Sequence, residues 1–198
     1  MLNVAIVAGS SRSNSQTAKV ARFIRQTLIQ RHRLEADNIS VIDLGSYPLP
    51  LWPGEDAGPW GMFEKQLSKA DAVVILTPEF NGMASPAIKN FFLYATKAQL
   101  AHKPAMLGAI SAGIGGAYPI SELRASSYKN CRLCYIPEHL IVRHVETVMN
   151  MPEPASEDDA KLRARLEYNL DILLRYGQAL KPMRNEIDMS NPAFTNGM

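Results

Sequence analysis

The sequence has little cysteine, no long apolar run and no marked excess of charge of either sign. Its 198 residues include only two cysteines, Cys131 and Cys134, which excludes a disulfide-stapled scaffold. The longest aliphatic run, Val73 to Leu76, is far shorter than the ~18 residues of a membrane span. The formal net charge is +2, a bias too weak to indicate nucleic acid as a partner.

Targeting and metal-binding motifs are also missing. Met1 leads directly into an apolar run without a basic segment or a cleavage site, so we expect a cytoplasmic protein without a signal peptide or membrane partner. The four histidines have no metal-ligand spacing, and no metal site is expected. Hydrophobic residues make up 46% of the chain and charged residues 20%, which is typical of globular proteins. We expect one domain over residues 1–181 and a polar C-terminal tail over residues 182–198.

Short apolar runs alternate with helical patterns along the chain. The runs that predict strands are Val4–Ala8, Ser40–Leu44, Ala72–Leu76, Ala105–Ile110 and Arg132–Ile136. The segments that predict helices are Ala18–Leu28, Met62–Lys69, Ile88–Ala98, Ile120–Tyr128 and a last helix capped by Ser156. This alternation predicts an α/β fold, with a five-stranded parallel sheet in the order 2-1-3-4-5 and helices on both faces.

The loop after the first strand has the chemistry of an anion site. Residues Gly9 to Thr17 bring hydroxyls, amides and Arg12 to a helix N-terminus, which Ser15 or Asn14 can cap. Unpaired backbone N–H groups and the helix dipole favour phosphate there, and Arg12 can add a bidentate contact. In a sheet of this order, ligands bind at the carboxyl ends of strands one and three. We therefore expect a phosphate site at that edge.

The loop also restricts which phosphate it can bind. It has no G-x-x-x-x-G-K-[ST] motif and no G-x-G-x-x-G motif, which disfavours a P-loop NTPase and a standard dinucleotide site. The run from Gly113 to Gly116 is only a weak glycine-rich match. The loop after the first strand has no cysteine, as a cysteine phosphatase would need, and no acidic pair, as a phospho-receiver domain would need. A hydroxyl-rich loop without lysine suits a terminal monophosphate, such as that of FMN.

Three motifs in order carry a family resemblance over about residues 1–136. They are Gly9 to Ser15, Thr77 to Gly82 with Lys89-Asn90 following, and Ser111 to Gly116. Together they resemble the NADPH-dependent FMN reductase family, the flavodoxin-like group that includes chromate, quinone and azo-dye reductases. The resemblance implies a flavodoxin-like three-layer sandwich, bound FMN, NADPH or NADH as co-substrate, a small-molecule electron acceptor, and a homodimer or homotetramer.

The resemblance also implies which residues contact the cofactor. Those for the FMN phosphate are Ser10, Arg12, Ser15, Gln16 and Thr17; those for the isoalloxazine ring, mainly through backbone groups, are Pro78, Glu79, Phe80, Asn81 and Gly82; those for its pyrimidine end are Ser111, Gly113 and Gly116. No protein side chain is expected to be catalytic, because the flavin carries the chemistry. Two interpretations of Glu79 stay open: it orients the ring or a partner subunit, or it is a solvated acid.

The sequence departs from the family pattern at three places. Ala84 to Ala87 replaces the usual Pro-Gly pair, Phe80 replaces the commoner tyrosine, and no acid follows Lys89-Asn90. The segment from Ile88 to Tyr94 has more large apolar residues than one helix face can hold, which predicts a partner-covered patch. The cysteines lie three apart on a predicted strand, so they point to opposite faces and are interpreted as structural.

These observations predict an FMN-dependent NAD(P)H oxidoreductase. It would pass hydride from a reduced nicotinamide through the flavin to a quinone, free flavin, azo dye or metal oxyanion. One alternative is a flavodoxin-type electron carrier, although the net charge of +2 disfavours docking to basic redox partners. The other is a non-enzymatic nucleotide- or phosphate-binding domain.

Overall fold

A parallel sheet forms the centre of the molecule. The computed structural model describes residues 2–54 and 56–196. Its helices and strands are, in chain order, β1 (Val4–Ala8), α1 (Gln16–Gln30), β2 (Ile39–Asp43), α2 (Trp60–Lys69), β3 (Ala72–Phe80), β4 (Met83–Ala84), α3 (Pro86–Tyr94), α4 (Lys97–Leu100), β5 (Pro104–Ile110), α5 (Ala117–Ser126), β6 (Cys134–Val142) and α6 (Glu157–Glu186). The strand order β2-β1-β3-β5-β6 confirms the predicted fold, and β4 is a short antiparallel addition to β3.

Two apolar cores cover the two faces of the sheet. One joins alternate residues of β1, β3 and β5 to the buried stripes of α1 and α6. The other joins the remaining strand residues to α2, α3 and α5. Every residue of β1 is buried, as is every residue of β5. Burial on both faces explains why these strands have continuous apolar sequences rather than alternating ones.

The third strand is longer than predicted. The apolar run predicts that this strand ends at Leu76, but β3 continues to Phe80 and pairs with β4. The two residues between them, Asn81 and Gly82, have φ angles of 50° and 78°. Positive φ at both positions is the geometry of a two-residue hairpin turn, for which Asn-Gly is the preferred sequence. The residues after the predicted end of this strand therefore form mostly a hairpin.

Several other boundaries differ for local reasons. The predicted helix from Ile88 to Ala98 is two helices, since Ser85 caps α3 ahead of Pro86 and Thr96 forms a capping box with Gln99 at α4. The predicted fifth strand is shifted, since Arg132 has a positive φ of 57° and β6 continues to Val142. Gly197 and Met198 of the predicted tail lie outside the described residues, as does Glu55.

The last helix continues past residue 181 because charged side chains attach it to the sheet. The Asp71 carboxylate, buried at the start of β3, accepts from Lys181 and from Arg184, each at 2.9 Å. It also accepts from the backbone N–H of Asn3 at 3.0 Å. Residues 182–186, expected to lie in the tail, are therefore helical, even though Pro182 lacks an N–H group.

Replacing Asp71 by asparagine is expected to lower the free energy of unfolding by about 2–3 kcal/mol, because Arg184 and Lys181 lose a charged acceptor. Burial alone raises the pKa of the Asp71 carboxyl, but the bonds from Lys181 and Asn3 outweigh it, and the pKa is below its usual value of 3.8. The stabilisation from Asp71 is thus complete when the pH is above the usual carboxyl pKa of 3.8. It is lost as the pH falls through the lowered pKa of Asp71 in the folded protein.

Urea unfolding near neutral pH and in acid tests this effect, and the difference between D71N and the wild type should shrink in acid. Asp171→Asn is the matched control, because Asp171 forms an exposed ion pair with Arg175 on α6, the helix that also carries Lys181 and Arg184. Exposed pairs contribute little, so that variant should unfold like the wild type. Equal behaviour of the two variants would contradict the buried role of Asp71.

Candidate functional site

A cavity of about 530 Å³ lies at the carboxyl ends of β1 and β3. This is the edge of the sheet that the strand order predicts for a ligand, and the volume is within the ~300–1,000 Å³ usual for ligand sites. The lining residues come from the loop before α1, the end of β3, the end of β5 and the segment after β6. They are Ser10, Arg12, Ser13, Asn14, Ser15, Gln16, Thr17, Pro78, Glu79, Phe80, Asn81, Ile110, Ala112, Val145 and Glu146.

Backbone donors converge at the start of α1. The Ser15 hydroxyl accepts from the Ala18 N–H at 3.1 Å, so Ser15 is the N-cap, and Asn14 precedes it with a φ of 51°. Within residues 2–54 and 56–196, no group accepts a hydrogen bond from the backbone N–H of Gln16 or Thr17. First-turn N–H groups point out of the helix N-terminus. This end of the cavity therefore offers free donors and the positive end of a helix dipole.

Arg12 adds a full positive charge to the same wall. Its side chain is exposed, and its guanidinium carbon lies 4.9 Å from the centroid of the Phe80 ring. Among the described residues, no carboxylate lies within ion-pair distance of it. Ser10 is buried below, and its hydroxyl accepts from the Arg12 N–H at 3.2 Å. The guanidinium charge is thus available to an anion in the cavity.

The end of β3 forms the opposite wall. Pro78 is buried, while Glu79 and Phe80 are half-buried. The Glu79 carboxylate accepts from the backbone N–H of Gly116, and a Cβ on Gly115 would lie 2.5 Å from that carboxylate. Glu79 therefore has a partner within the chain, which neither of the two interpretations from the sequence included. It fastens β3 to the glycine-rich loop after β5.

Ser85 connects the segments beneath the cavity through hydrogen bonds. Its hydroxyl donates to the carbonyl oxygen of Gly9 and accepts from the Ile88 N–H, and its own N–H donates to the Thr77 hydroxyl at 3.0 Å. Gly9 in turn donates to the Leu76 carbonyl at 2.8 Å. The side chain and backbone of Ser85 thus link the loop after β1 to β3 and α3. This explains how Ser85-Pro86 serves where the resembling family usually has Pro-Gly.

A lysine from α1 positions the remaining wall. The Lys19 ammonium donates to the carbonyl oxygens of Val145 and Val148 and to the Asn150 side chain. Partial burial lowers the pKa of Lys19, although the nearby carboxylates of Asp159 and Glu146 oppose the shift. Through these bonds, the helix that begins at the cavity also holds the segment that brings Val145 and Glu146 to it.

Most of the predicted site residues meet at this cavity. Those that do not line it are Gly82, Ser111, Gly113 and Gly116. Six residues outside the predicted set also line the cavity: Ser13, Asn14, Ile110, Ala112, Val145 and Glu146. The first four lie within or next to segments already singled out. Val145 and Glu146 were missed because β6 ends six residues later than the predicted Ile136, at Val142, which brings the following segment to the carboxyl edge.

Glutamine at position 79 is expected to preserve FMN retention, since its amide oxygen can still accept from Gly116. Alanine there removes the acceptor, so the loop after β5 loses its link to β3, and retention should fall severalfold. The fraction of FMN that stays with the protein through gel filtration measures both effects. A folded but colourless E79Q protein would show instead that the negative charge itself carries binding.

The strand order and the cavity define an α/β protein with a cavity at the switch point of its sheet. The family model described as NADPH-dependent FMN reductase matches residues 2–147, and the chain belongs to this family. The predicted resemblance, enzyme class and cofactors are thereby confirmed: the family consists of FMN-dependent NAD(P)H oxidoreductases. Within the described residues, no helix is long and apolar enough to cross a membrane.

Two curated relatives illustrate the family. An NADPH azoreductase from Bacillus sp. (strain OY1-2) is 29% identical over 130 residues, which cover 63% of this chain and 68% of that protein. A quinone reductase from Pseudomonas putida (strain KT2440) is 31% identical over 91 residues, which cover 44% of this chain and 46% of the relative. The chain thus matches less than half the length of the quinone reductase.

Solved structures share the fold at low identity. FerB, a flavoenzyme NAD(P)H:(acceptor) oxidoreductase from Paracoccus denitrificans, has a TM-score of 0.69 at 22% identity, covering 91% of this chain and 99% of that one. The apo form of an NADH:FMN oxidoreductase (EMOB) has a TM-score of 0.70 at 15% identity, covering 99% and 95%. These similarities support the flavodoxin-like architecture.

Proposed function

We propose that the cavity binds FMN with its phosphate at the N-terminus of α1, and that the protein reduces a small-molecule acceptor with electrons from NADPH. The observation that carries this proposal is the donor set at one end of the cavity. The N–H groups of Gln16 and Thr17, which have no acceptor among the described residues, lie on the same wall as the Arg12 guanidinium, which has no carboxylate partner there. Hydroxyls of Ser10, Ser13 and Ser15 accompany them. These groups fit a dianionic monophosphate.

The other end of the cavity suits a planar ring. Pro78 to Asn81 offer a rigid strand end and turn, and Ile110 and Ala112 provide small apolar contacts. Bound FMN would supply hydride transfer, which no side chain of this chain can perform. The residues of the cavity hold and orient the ring and leave one face open to a second planar substrate. We assign Gly82 to the isoalloxazine ring with Pro78 to Asn81, and Ser111, Gly113 and Gly116 to its pyrimidine end, although these four residues do not line the cavity.

The acceptor class follows from the relatives. The names azoreductase and quinone reductase support azo compounds and quinones, and free flavin and metal oxyanions belong to the same proposal. NADPH is the proposed donor, with NADH as the alternative. We place the protein in the cytoplasm. We also assign residues 1–181 to one FMN-binding domain, and α6 extends it to Glu186.

Steady-state oxidation of NADPH, with and without FMN and with a quinone or an azo dye as acceptor, tests the activity. The proposal predicts turnover that requires FMN and an acceptor. An electron carrier would bind FMN without sustained NADPH oxidation, and a phosphate-binding domain without redox function would show no flavin absorption after purification with FMN. Either result would contradict the proposed enzyme.

We also propose a homodimer or homotetramer, although α3 exposes a smaller apolar patch than its sequence predicts. Ile88 and Phe91 are buried, and Tyr94 packs on Trp60 and donates to the Pro50 carbonyl. Most of the expected patch on α3 is therefore covered within the chain. Leu93 remains exposed, as do Leu51 and Trp52 in the preceding loop, and exposed apolar groups of this kind favour an interface.

Light scattering after gel filtration is expected to give two or four times the chain mass of 21.9 kDa. The measurement should be made at micromolar concentration, where a subunit contact of ordinary affinity persists. A mass of one chain at that concentration would contradict the assembly but not the cofactor site.

A further inference from the structure

We propose that Phe80 is a positioning residue that holds the Arg12 guanidinium in the cavity and so sets the preference for FMN over flavins without a phosphate. The inference rests on the proposed function, in which Arg12 and the N-terminus of α1 bind the phosphate. It adds a residue from the opposite wall, which the sequence resemblance assigns to the isoalloxazine ring instead.

The geometry of the contact is that of a cation above an aromatic ring. The guanidinium carbon of Arg12 lies 4.9 Å from the ring centroid of Phe80, inside the ~6 Å range of cation–π attraction. Among the described residues, no carboxylate competes for this guanidinium. The ring is thus the group that determines where the positive charge of Arg12 lies before a ligand arrives.

Phe80 is a rigid platform, whereas Arg12 is not. Phe80 is the last residue of β3, is half-buried and pairs with Met83 across the Asn-Gly turn. Arg12 lies on an exposed loop, where a long side chain samples many rotamers. Binding an anion would cost that rotamer freedom. A ring that already restricts the guanidinium lowers this cost and raises the affinity for the phosphate.

The contact also explains why phenylalanine can hold Arg12 at a position where the family commonly has tyrosine. A cation is attracted to the face of the ring, which phenylalanine and tyrosine share. A hydroxyl at the ring edge is not needed for it. Leucine and methionine are apolar and similar in size to phenylalanine, but they have no aromatic ring. At position 80 they would remove the cation–π attraction and still fill most of the space that the Phe80 side chain occupies.

The test compares dissociation constants for FMN and riboflavin, measured by quenching of flavin fluorescence. Any contact between Phe80 and the isoalloxazine ring affects both flavins equally, so it cancels in the ratio of the two constants. For Phe80→Leu and Phe80→Met, we expect the preference for FMN to fall roughly three- to thirtyfold. Phe80→Tyr is expected to keep it. Thermal unfolding of each variant verifies that it is folded.

A double-mutant cycle with Arg12→Ala completes the experiment. In the R12A background, F80L should cause no further loss of the preference for FMN, because the ring then has no cation to hold. An equal loss of FMN and riboflavin in folded F80L and F80M would overturn the role of Phe80 while leaving the phosphate site intact. An unchanged FMN-to-riboflavin ratio in R12A would overturn the phosphate site itself, and the inference with it.

Discussion

Replacement of Arg12 by alanine is expected to weaken FMN binding by about 30- to 1,000-fold. A guanidinium that forks onto a dianionic phosphate forms charge-assisted hydrogen bonds, and their loss corresponds to roughly 2–4 kcal/mol. Among the described residues that line the cavity, Arg12 is the only cationic side chain, so none of them can replace its charge. Riboflavin lacks the phosphate and should bind to the variant nearly as it binds to the wild type.

Titration calorimetry with both flavins measures this effect. Arg22→Ala is the matched control, because Arg22 is an exposed arginine of α1 that does not line the cavity. It reports how much of any loss comes from net charge alone, which added salt should screen. If R12A lost FMN and riboflavin affinity to the same extent, the phosphate would not be bound at this loop.

Replacement of Gly9 by alanine is expected to lower the free energy of unfolding by about 3 kcal/mol or more. A Cβ at this position would lie 2.6 Å from the Leu76 carbonyl oxygen and 2.8 Å from the Ile88 Cβ. Both neighbours belong to the packed core, so the methyl group can fit only if β1, β3 or α3 moves, at the cost of overpacking. Such a shift displaces both cavity walls, and FMN binding should fall as well.

Gly113→Ala is the matched control for this prediction. A Cβ on Gly113 would meet nothing within 4 Å, and exposed positions of this kind usually change stability by less than ~0.5 kcal/mol. Urea unfolding of both variants gives the comparison directly. Equal stability of G9A and G113A would show that the contact at the floor of the cavity is loose, contrary to the packing described above.

The main architecture could be predicted because buried parallel strands have continuous apolar sequences. β1 and β5 are buried along their whole length, and each contrasts with the amphipathic helix that follows it. β6 was misplaced because it is an edge strand. It carries exposed His139 beside buried Leu140, and this mixture does not read as a continuous run. The extension of β3 did have a signal, since Asn81-Gly82 is a preferred hairpin turn.

Long-range contacts account for what the sequence could not predict. α6 reaches Glu186 because Lys181 and Arg184 bind Asp71, more than a hundred residues earlier. Val145 and Glu146 reach the cavity because β6 ends at Val142 and because Lys19 binds the carbonyl groups of the segment that follows. The loop before α1, in contrast, is contiguous in sequence and lies at a helix start, so its hydrogen-bond donors were visible from the residues alone.

Anaerobic mixing of the FMN-loaded protein with NADPH tests the central claim most directly. The site described here predicts that the absorption band of oxidised flavin disappears on mixing, and that it returns when a quinone is added. Protein that takes up no FMN, or bound FMN whose oxidised band persists in the presence of NADPH, would contradict the assignment of this cavity as the centre of an NADPH-dependent flavin oxidoreductase.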